Sequence, residues 1–314
     1  MPARGPKSAG MSRFDVVGLG QCCIDFLGQI TAYPIVDTKC EMKSLLSQGG
    51  GPVGTAMVAA SRLGLKAALI GKVGDDTHGR DILNGLTVEG VDISGLVVAP
   101  DKTSQVAFVA VERGSGSRTV FWTRGTAHPL DVSEVPRELI EDGRLLHLDG
   151  LHAAASLRAA HIARAAGIPV MLDAGTFREP VRDLLPLVDY LAVSIDFARG
   201  WLGRDDVSAA LDSLSQWGAR LTCVTRGARG CVARTAEGTL DIPAFEVEVV
   251  DTTGCGDAFH GGLIYGVLQD WPARRALTFA SAVAAMKCRG LGGRSALPHL
   301  REVEHFMAQA ATTP

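Results

Sequence analysis

The sequence has few aromatic rings, no excess of one charge and no apolar run long enough to cross a bilayer. Phe 10, Trp 4 and Tyr 3 together make 5% of 314 residues, so platforms for nucleic-acid bases or long glycans are poorly supplied. Lys+Arg 31 against Asp+Glu 34 leaves a net charge of −3, and that balance announces no nucleic-acid partner. A stretch of about 18 apolar residues is missing, which excludes a membrane-spanning helix. The seven cysteines (22, 23, 40, 223, 231, 255, 288) form no CxxC pair, and no signal-like apolar segment leads the chain. A cytoplasmic, reducing location is therefore the expectation. A Walker lysine loop is also absent.

Glycine, by contrast, is abundant. It fills 37 of 314 positions, about 12%, with no collagen period and no low-complexity tract; about 7% is usual. These glycines are expected at backbone turns that a ligand approaches closely.

Residues 1–13, MPARGPKSAGMSR, show no periodicity and are expected to form a disordered tail. From Phe14 onward, short β-branched runs (14–17, 67–70, 145–148, 170–172, 190–193, 221–224) alternate with segments of helical period (54–63, 77–89, 157–166, 208–217, 256–268, 273–287). That alternation predicts an α/β fold with a mainly parallel sheet. Residues 27–48 and 97–124 break the rhythm with period-two segments. They form either surface hairpins or a small β lid that shields a cleft from water. The chain is thus expected to be one domain, 14–314, with a discontinuous lid.

The strongest chemical signal is Asp251-Thr252-Thr253-Gly254-Cys255-Gly256-Asp257-Ala258-Phe259, between a strand-like run and an apolar helix. Gly254 and Gly256 let backbone amides converge at a helix N-terminus, which suits an anion. Asp257 either caps this helix or takes a proton from a substrate hydroxyl beside the anion. The second arrangement is phosphoryl-transfer chemistry.

This segment resembles the second signature of the ribokinase/PfkB carbohydrate-kinase family, with Cys255 where the family usually has alanine. Gly49-Gly50-Gly51-Pro52 through Arg62-Leu63-Gly64, followed by Ile70-Gly71-Lys72-Val73-Gly74-Asp75-Asp76, is similar to the first signature. The resemblance covers nearly the whole chain from Phe14. It implies a ribokinase-like three-layer α/β/α core with a mainly parallel sheet and a small β lid.

The resemblance also implies site residues. Asp257 becomes the base, and the amides of Gly254, Cys255 and Gly256 receive the transferring phosphoryl group. Asp25, Gly50 and Gly51 approach the sugar, and Thr55 stands where the family commonly has asparagine. Thr225, Gly227 and Gly230 contact ATP, Ala282 and Ala285 wall the adenine pocket, and Arg178 either supports the phosphates or makes an ordinary salt bridge. ATP with Mg2+ is the expected donor. The glutamate that organises Mg2+ in relatives would fall at Phe197, so Asp196 is the remaining acid of that motif. Asp251, Thr253, Gly290 and Ser295 are candidates to coordinate K+.

Within the family the GGGP loop, Thr55 and residues 279–294 look most like the sulfofructose-kinase branch, as does Lys39, ten residues before Gly49. Trp122 and Leu151, however, stand where that branch's sulfonate-recognising Asn and Arg are expected. On the lid, Arg124 after Trp122 is either a solvated arginine or a partner for an acidic sugar. Asp149 and His152 follow a strand end, where His152 is either structural or part of the cleft. The expected activity is ATP-dependent phosphorylation of a monosaccharide or an acidic or sulfonated sugar. A nucleoside kinase and a catalytically weak sensor are the alternatives, and a homodimer through the lid is expected.

Overall fold

The computed structural model describes residues 12–312. Residues 1–11 of the expected tail lie outside this range. Arg13, also placed in the tail, is instead held by Asp92 at 3.2 Å and lies over the Phe14 ring.

The strands are β1 (Val16–Leu19), β2 (Cys23–Ile30), β3 (Ser44–Gly50), β4 (Ala67–Gly74), β5 (Asp92–Ala99), β6 (Val106–Glu112), β7 (Arg118–Thr123), β8 (Leu146–Leu148), β9 (Val170–Ala174), β10 (Tyr190–Ser194), β11 (Leu221–Thr225), β12 (Cys231–Thr235) and β13 (Gly238–Ile242). The helices are α1 (Pro52–Arg62), α2 (Thr77–Val88), α3 (Arg137–Glu141), α4 (Ala153–Ala166), α5 (Ile195–Leu202), α6 (Val207–Ser215), α7 (Cys255–Leu268), α8 (Ala273–Lys287) and α9 (Leu300–Thr312).

A nine-stranded sheet runs in the order β13-β12-β11-β10-β9-β8-β1-β4-β5. It is parallel from β11 to β5, with β12 and β13 added antiparallel at one edge. The central strands are short apolar runs because helices cover both faces. On one face α1, α7 and α8 build a core around Met57, Phe259, Leu263 and Phe279. On the other, α4, α5 and α6 close over Leu19, Leu148, Leu172 and Phe197. The result is the expected three-layer arrangement.

Helix α7 is buried nearly all round, and small residues let it sit close to both neighbours. A Cβ on Gly261 would lie 2.5 Å from the Ala59 Cβ of α1, and one on Gly262 would lie 2.8 Å from the Ala280 Cα of α8. The N-terminus of α7 is therefore fixed from two sides.

The second sheet has the order β3-β2-β6-β7, with β2 parallel to β6 and the other pairs antiparallel. It begins at Cys23, four residues before the expected boundary. Residues 97–99, expected in this small layer, belong instead to β5 of the large sheet. The sequence Asp92–Ala99 has no clean alternation, because its strand pairs on one side only and carries a register shift. Helix α5 was not anticipated; Ser194 caps it by accepting from the Phe197 amide at 3.0 Å.

Candidate active site

Several chemical groups collect where the parallel strands end, the usual place for a ligand crevice in such sheets. Gly20 and Gln21 leave β1, Asp149 follows β8, Asp173 lies in β9, Thr225 ends β11, and Asp257 stands in the first turn of α7.

The turn into α7 is built largely by its own backbone. Gly254 is the residue before the helix, with φ +74°. A Cβ there would also lie 2.7 Å from the Gly293 Cα, so geometry and packing both demand glycine. Asp251 is fully buried: its carboxylate accepts from the Thr253 amide and hydroxyl, both at 2.8 Å, and from the Gly292 amide at 2.6 Å. The Asp251 carbonyl accepts from the ammonium of Lys287 at 2.8 Å, and Lys287 has no exposed surface. The Cys288 carbonyl, closing α8, accepts from the amides of Val250 and Asp251. Helix α8 thus clamps the chain just ahead of the turn.

Two expectations change here. Among the candidate K+ ligands, the Asp251 carboxylate and carbonyl are already engaged, and a lysine ammonium occupies the carbonyl. Ser295 sits at the surface, 3.4 Å from Gln48 Oε1. Asp251 and Ser295, two of the four candidate K+ residues, thus have protein partners of their own. The Cys255 amide, expected to face the anion, donates to the Thr252 carbonyl at 3.3 Å. Gly256, by contrast, is exposed, with open space where a Cβ would stand. The opening amides of α7 lack intrahelical partners by construction, and Gly256 leaves them approachable.

Asp257 is half-buried, and among the described residues its carboxylate makes no hydrogen bond or ion pair. Burial, joined by the negative charges of Asp173, Asp25 and Asp149, raises it well above the usual carboxylate range, while Arg118 opposes. One turn further on, His260 pairs with Asp173 at 3.3 Å and its ring lies 5.3 Å from that of His147. His147, Asp173 and His260 bring ligand-type atoms within 4.8 Å of one another, the one such group among the described residues. His147 is fully buried, and burial lowers its pKa to about 3, so its ring is neutral.

On the small sheet, Asp25 is buried and accepts from the Cys23 thiol at 3.1 Å. Burial raises its pKa; the Cys23 hydrogen bond and Arg294 oppose. A Cβ on Gly50 would fall onto the Asp25 carboxylate, which explains glycine there. Gly51 precedes α1 with φ +86°, and Thr55 is buried in the first turns of α1. Arg294 is buried beside them and donates to the Gly50 carbonyl at 2.9 Å. Its importance was not legible, because a lone arginine in a Gly-rich loop carries no pattern.

Arg118 was also missed. It opens β7 and donates to Thr252 Oγ1 at 2.9 Å, while the Thr252 hydroxyl donates to the Gly116 carbonyl at 3.2 Å. The β6–β7 hairpin is thereby tied to the residue just ahead of the turn into α7. Trp122 and Arg124 lie on the exposed side of the small sheet, with the guanidinium 5.1 Å from the ring centre. Lys39 is exposed in the segment between β2 and β3.

The expected nucleotide residues separate. Thr225 and Gly227 sit at the open end of β11, and Arg178 is exposed after β9. Gly230 is buried, and a Cβ on it would meet the Ile242 carbonyl, so it is glycine for packing. Ala282 has no exposed surface and belongs to the core between α7 and α8; Ala285 is 8% exposed. Neither Gly230 nor Ala282 offers a surface to a ligand. Asp149 is held by the amides of Gln21 (2.7 Å) and Leu151 (2.9 Å), and burial pushes it up to about 7. His152 is structural: its Nδ1 accepts from the Leu130 amide at 2.9 Å, and burial lowers it to about 3.

Phe197, where the resemblance places a Mg2+-organising glutamate, is a core residue, and Asp196 faces solvent in a pair with Arg199. This segment supplies no carboxylate to the cleft, so it does not fit that role.

Comparison with known proteins agrees with this architecture. Residues 13–300 match the family model described as pfkB family carbohydrate kinase. The chain is 31% identical to Fructokinase-1 of Oryza sativa subsp. japonica, over 96% of this chain and 100% of that one. It is 30% identical to Probable fructokinase-7 of Arabidopsis thaliana, over 93% and 92%. A putative ribokinase from Agrobacterium tumefaciens superposes with TM-score 0.90 at 28% identity, over 96% and 99%. A putative ribokinase II in complex with ATP and Mg2+ from E. coli has the same fold, with TM-score 0.83 at 24% identity over 94% and 99%. The chain belongs to the pfkB family of carbohydrate kinases, phosphotransferases whose acceptor is a sugar hydroxyl.

Proposed function

We propose that the protein transfers the γ-phosphoryl group of ATP to a hydroxyl of a small monosaccharide, fructose or a related neutral or acidic sugar. The observation that carries this reading is a half-buried carboxylate without a partner, Asp257, set one residue after an open glycine at a helix N-terminus. The fructokinase relatives support a ketose acceptor.

In this reading Asp25, in its buried setting, accepts hydrogen bonds from sugar hydroxyls, while the backbone at Gly50 and Gly51 lets the ring approach. Asp257 takes the proton of the attacking hydroxyl. The developing charge on the transferred group is met by the opening amides of α7 around Gly254 and Gly256, and by the field of the helix. Arg118 and Lys287 add positive charge beside the turn. Thr225, Gly227 and Arg178 line the nucleotide side. Mg2+ enters with the nucleotide phosphates, and no carboxylate of this chain is assigned to hold it. Trp122 and Arg124 form the outer edge of the sugar side, where a guanidinium suits an acidic substituent. The exposed apolar residues of β7, Val120 and Trp122 on one face and Phe121 on the other, support a lid-to-lid homodimer, which light scattering of the purified chain tests.

The decisive experiment is ADP release and sugar-phosphate formation across fructose, ribose, 2-keto-3-deoxygluconate, sulfofructose, sugar phosphates and nucleosides. Turnover of one sugar with ATP is the expected result. Turnover of nucleosides alone, or ATP-dependent thermal stabilisation without turnover of any acceptor, overturns the reading.

A further inference from the structure

Two cysteines meet directly beside the anion-binding turn. Cys255 opens α7 and Cys288 follows the last residue of α8, and their sulfurs are 2.7 Å apart. Both are free thiols and half-buried. The rest of the cysteine set is differently placed: Cys22, Cys23, Cys223 and Cys231 are buried, and Cys40 is exposed.

The two thiols share one hydrogen bond, in which either sulfur can donate. Burial disfavours the thiolate of both, and Lys287 and Arg118 favour it. Either sulfur can thus be the attacking thiolate, with the other as its resolving partner.

We propose that Cys255 and Cys288 are a site of reversible oxidation, closed to a disulfide by peroxide and reopened by a dithiol, that turns the phosphoryl-binding turn off and on. The proposal rests on reading that turn as the phosphoryl site. In the first step one of the two sulfurs attacks a peroxide oxygen. The O–O bond breaks, and a sulfenic acid and one water result. The other sulfur then attacks the oxidised one, the S–O bond breaks, and the second thiol's proton leaves with the hydroxide as a second water. Two thiols lose two electrons, and peroxide gains them.

The consequence is mechanical. A disulfide needs about 2.05 Å between sulfurs and a dihedral near 90°, so the pair must contract and rotate. Cys255 lies between Gly254, which is in backbone contact with Gly293, and the open Gly256. Cys288 is in turn the residue whose carbonyl holds Val250 and Asp251. Closure thus pulls on both ends of the turn, and a misplacement of about 1 Å in a positioned group costs on the order of a hundredfold in rate.

The test uses the full chain, treated with hydrogen peroxide and then dithiothreitol. Peptide mapping is expected to find Cys255 joined to Cys288, with loss of two hydrogens in the intact mass. Turnover of the oxidised wild type is expected to fall about tenfold or more and to return with dithiothreitol. Cys288→Ser and Cys255→Ala are each expected to keep their own reduced-state activity through the same treatment. Absence of the cross-link, a cross-link with unchanged turnover, or equal inactivation of either variant overturns the proposal. If no acceptor sugar is turned over, the reading of the site fails separately. The switch is then judged by the thermal stabilisation that ATP gives: a smaller stabilisation in the cross-linked chain supports it, and an unchanged one overturns it.

Discussion

The turn at 251–257 and the four-stranded layer meet at Thr252 and are made of different materials. The turn is backbone: two glycines, a carboxylate consumed by three donors, and a buried lysine against a carbonyl. The layer presents side chains, and every residue of β7 is exposed. In the proposed reading the fixed amides of the turn meet phosphate and tolerate little variation, whereas the exposed residues of β7, at the outer edge of the sugar side, are free to change without disturbing a core. The contrast explains how a family motif can be sharp while the acceptor it serves stays open.

That contrast can be broken at either end. Asp257→Asn is expected to lower kcat by about a hundredfold or more while ATP still stabilises the fold; unchanged turnover removes Asp257 from the mechanism. Lys287→Met, which keeps length and removes charge, is expected to lower kcat by about tenfold and to reduce the melting temperature, since it leaves the buried Asp251 carbonyl without its donor. The wild type should turn over equally in NaCl and KCl, because its own ammonium already occupies that carbonyl; strict dependence on K+ refutes this. Arg118→Ala should raise KM several-fold with a smaller change in kcat, as the hairpin loosens from Thr252. Arg124→Ala is expected to weaken acidic sugars and leave fructose within about twofold, placing specificity on the exposed layer.

A pH effect is the smallest. His147 is neutral in the folded chain, lowered from 6.5 to about 3 by burial. In the unfolded chain it binds a proton below about pH 6.5. The stability this neutral form contributes is present above 6.5 and is lost as pH falls toward 3. His147→Leu should therefore flatten the fall in melting temperature between pH 7 and 5, compared with the wild type.

Much of the fold was legible because its strands and helices keep their periods: α8 runs from Ala273 to Lys287 as the pattern predicts, and the parallel order follows from the βα alternation. β5 escaped because a strand paired on one side has no strong period, and α5 because its eight residues are too few to show one. In the site, Asp257 and Gly254 were visible because their constraint is local in sequence. Lys287 and Arg294 were not, because burial of a cation is decided by tertiary contacts 36 and 244 residues away. Gly230 and Ala282 illustrate the reverse case, where motif positions serve packing.

Thr252 joins the two materials. It receives Arg118 and donates to Gly116 from the hairpin, and it lies two residues ahead of Gly254. Any movement of the hairpin away from the turn breaks these bonds at the residue that leads into α7. The position of the hairpin and the conformation of the turn are therefore coupled at a single threonine.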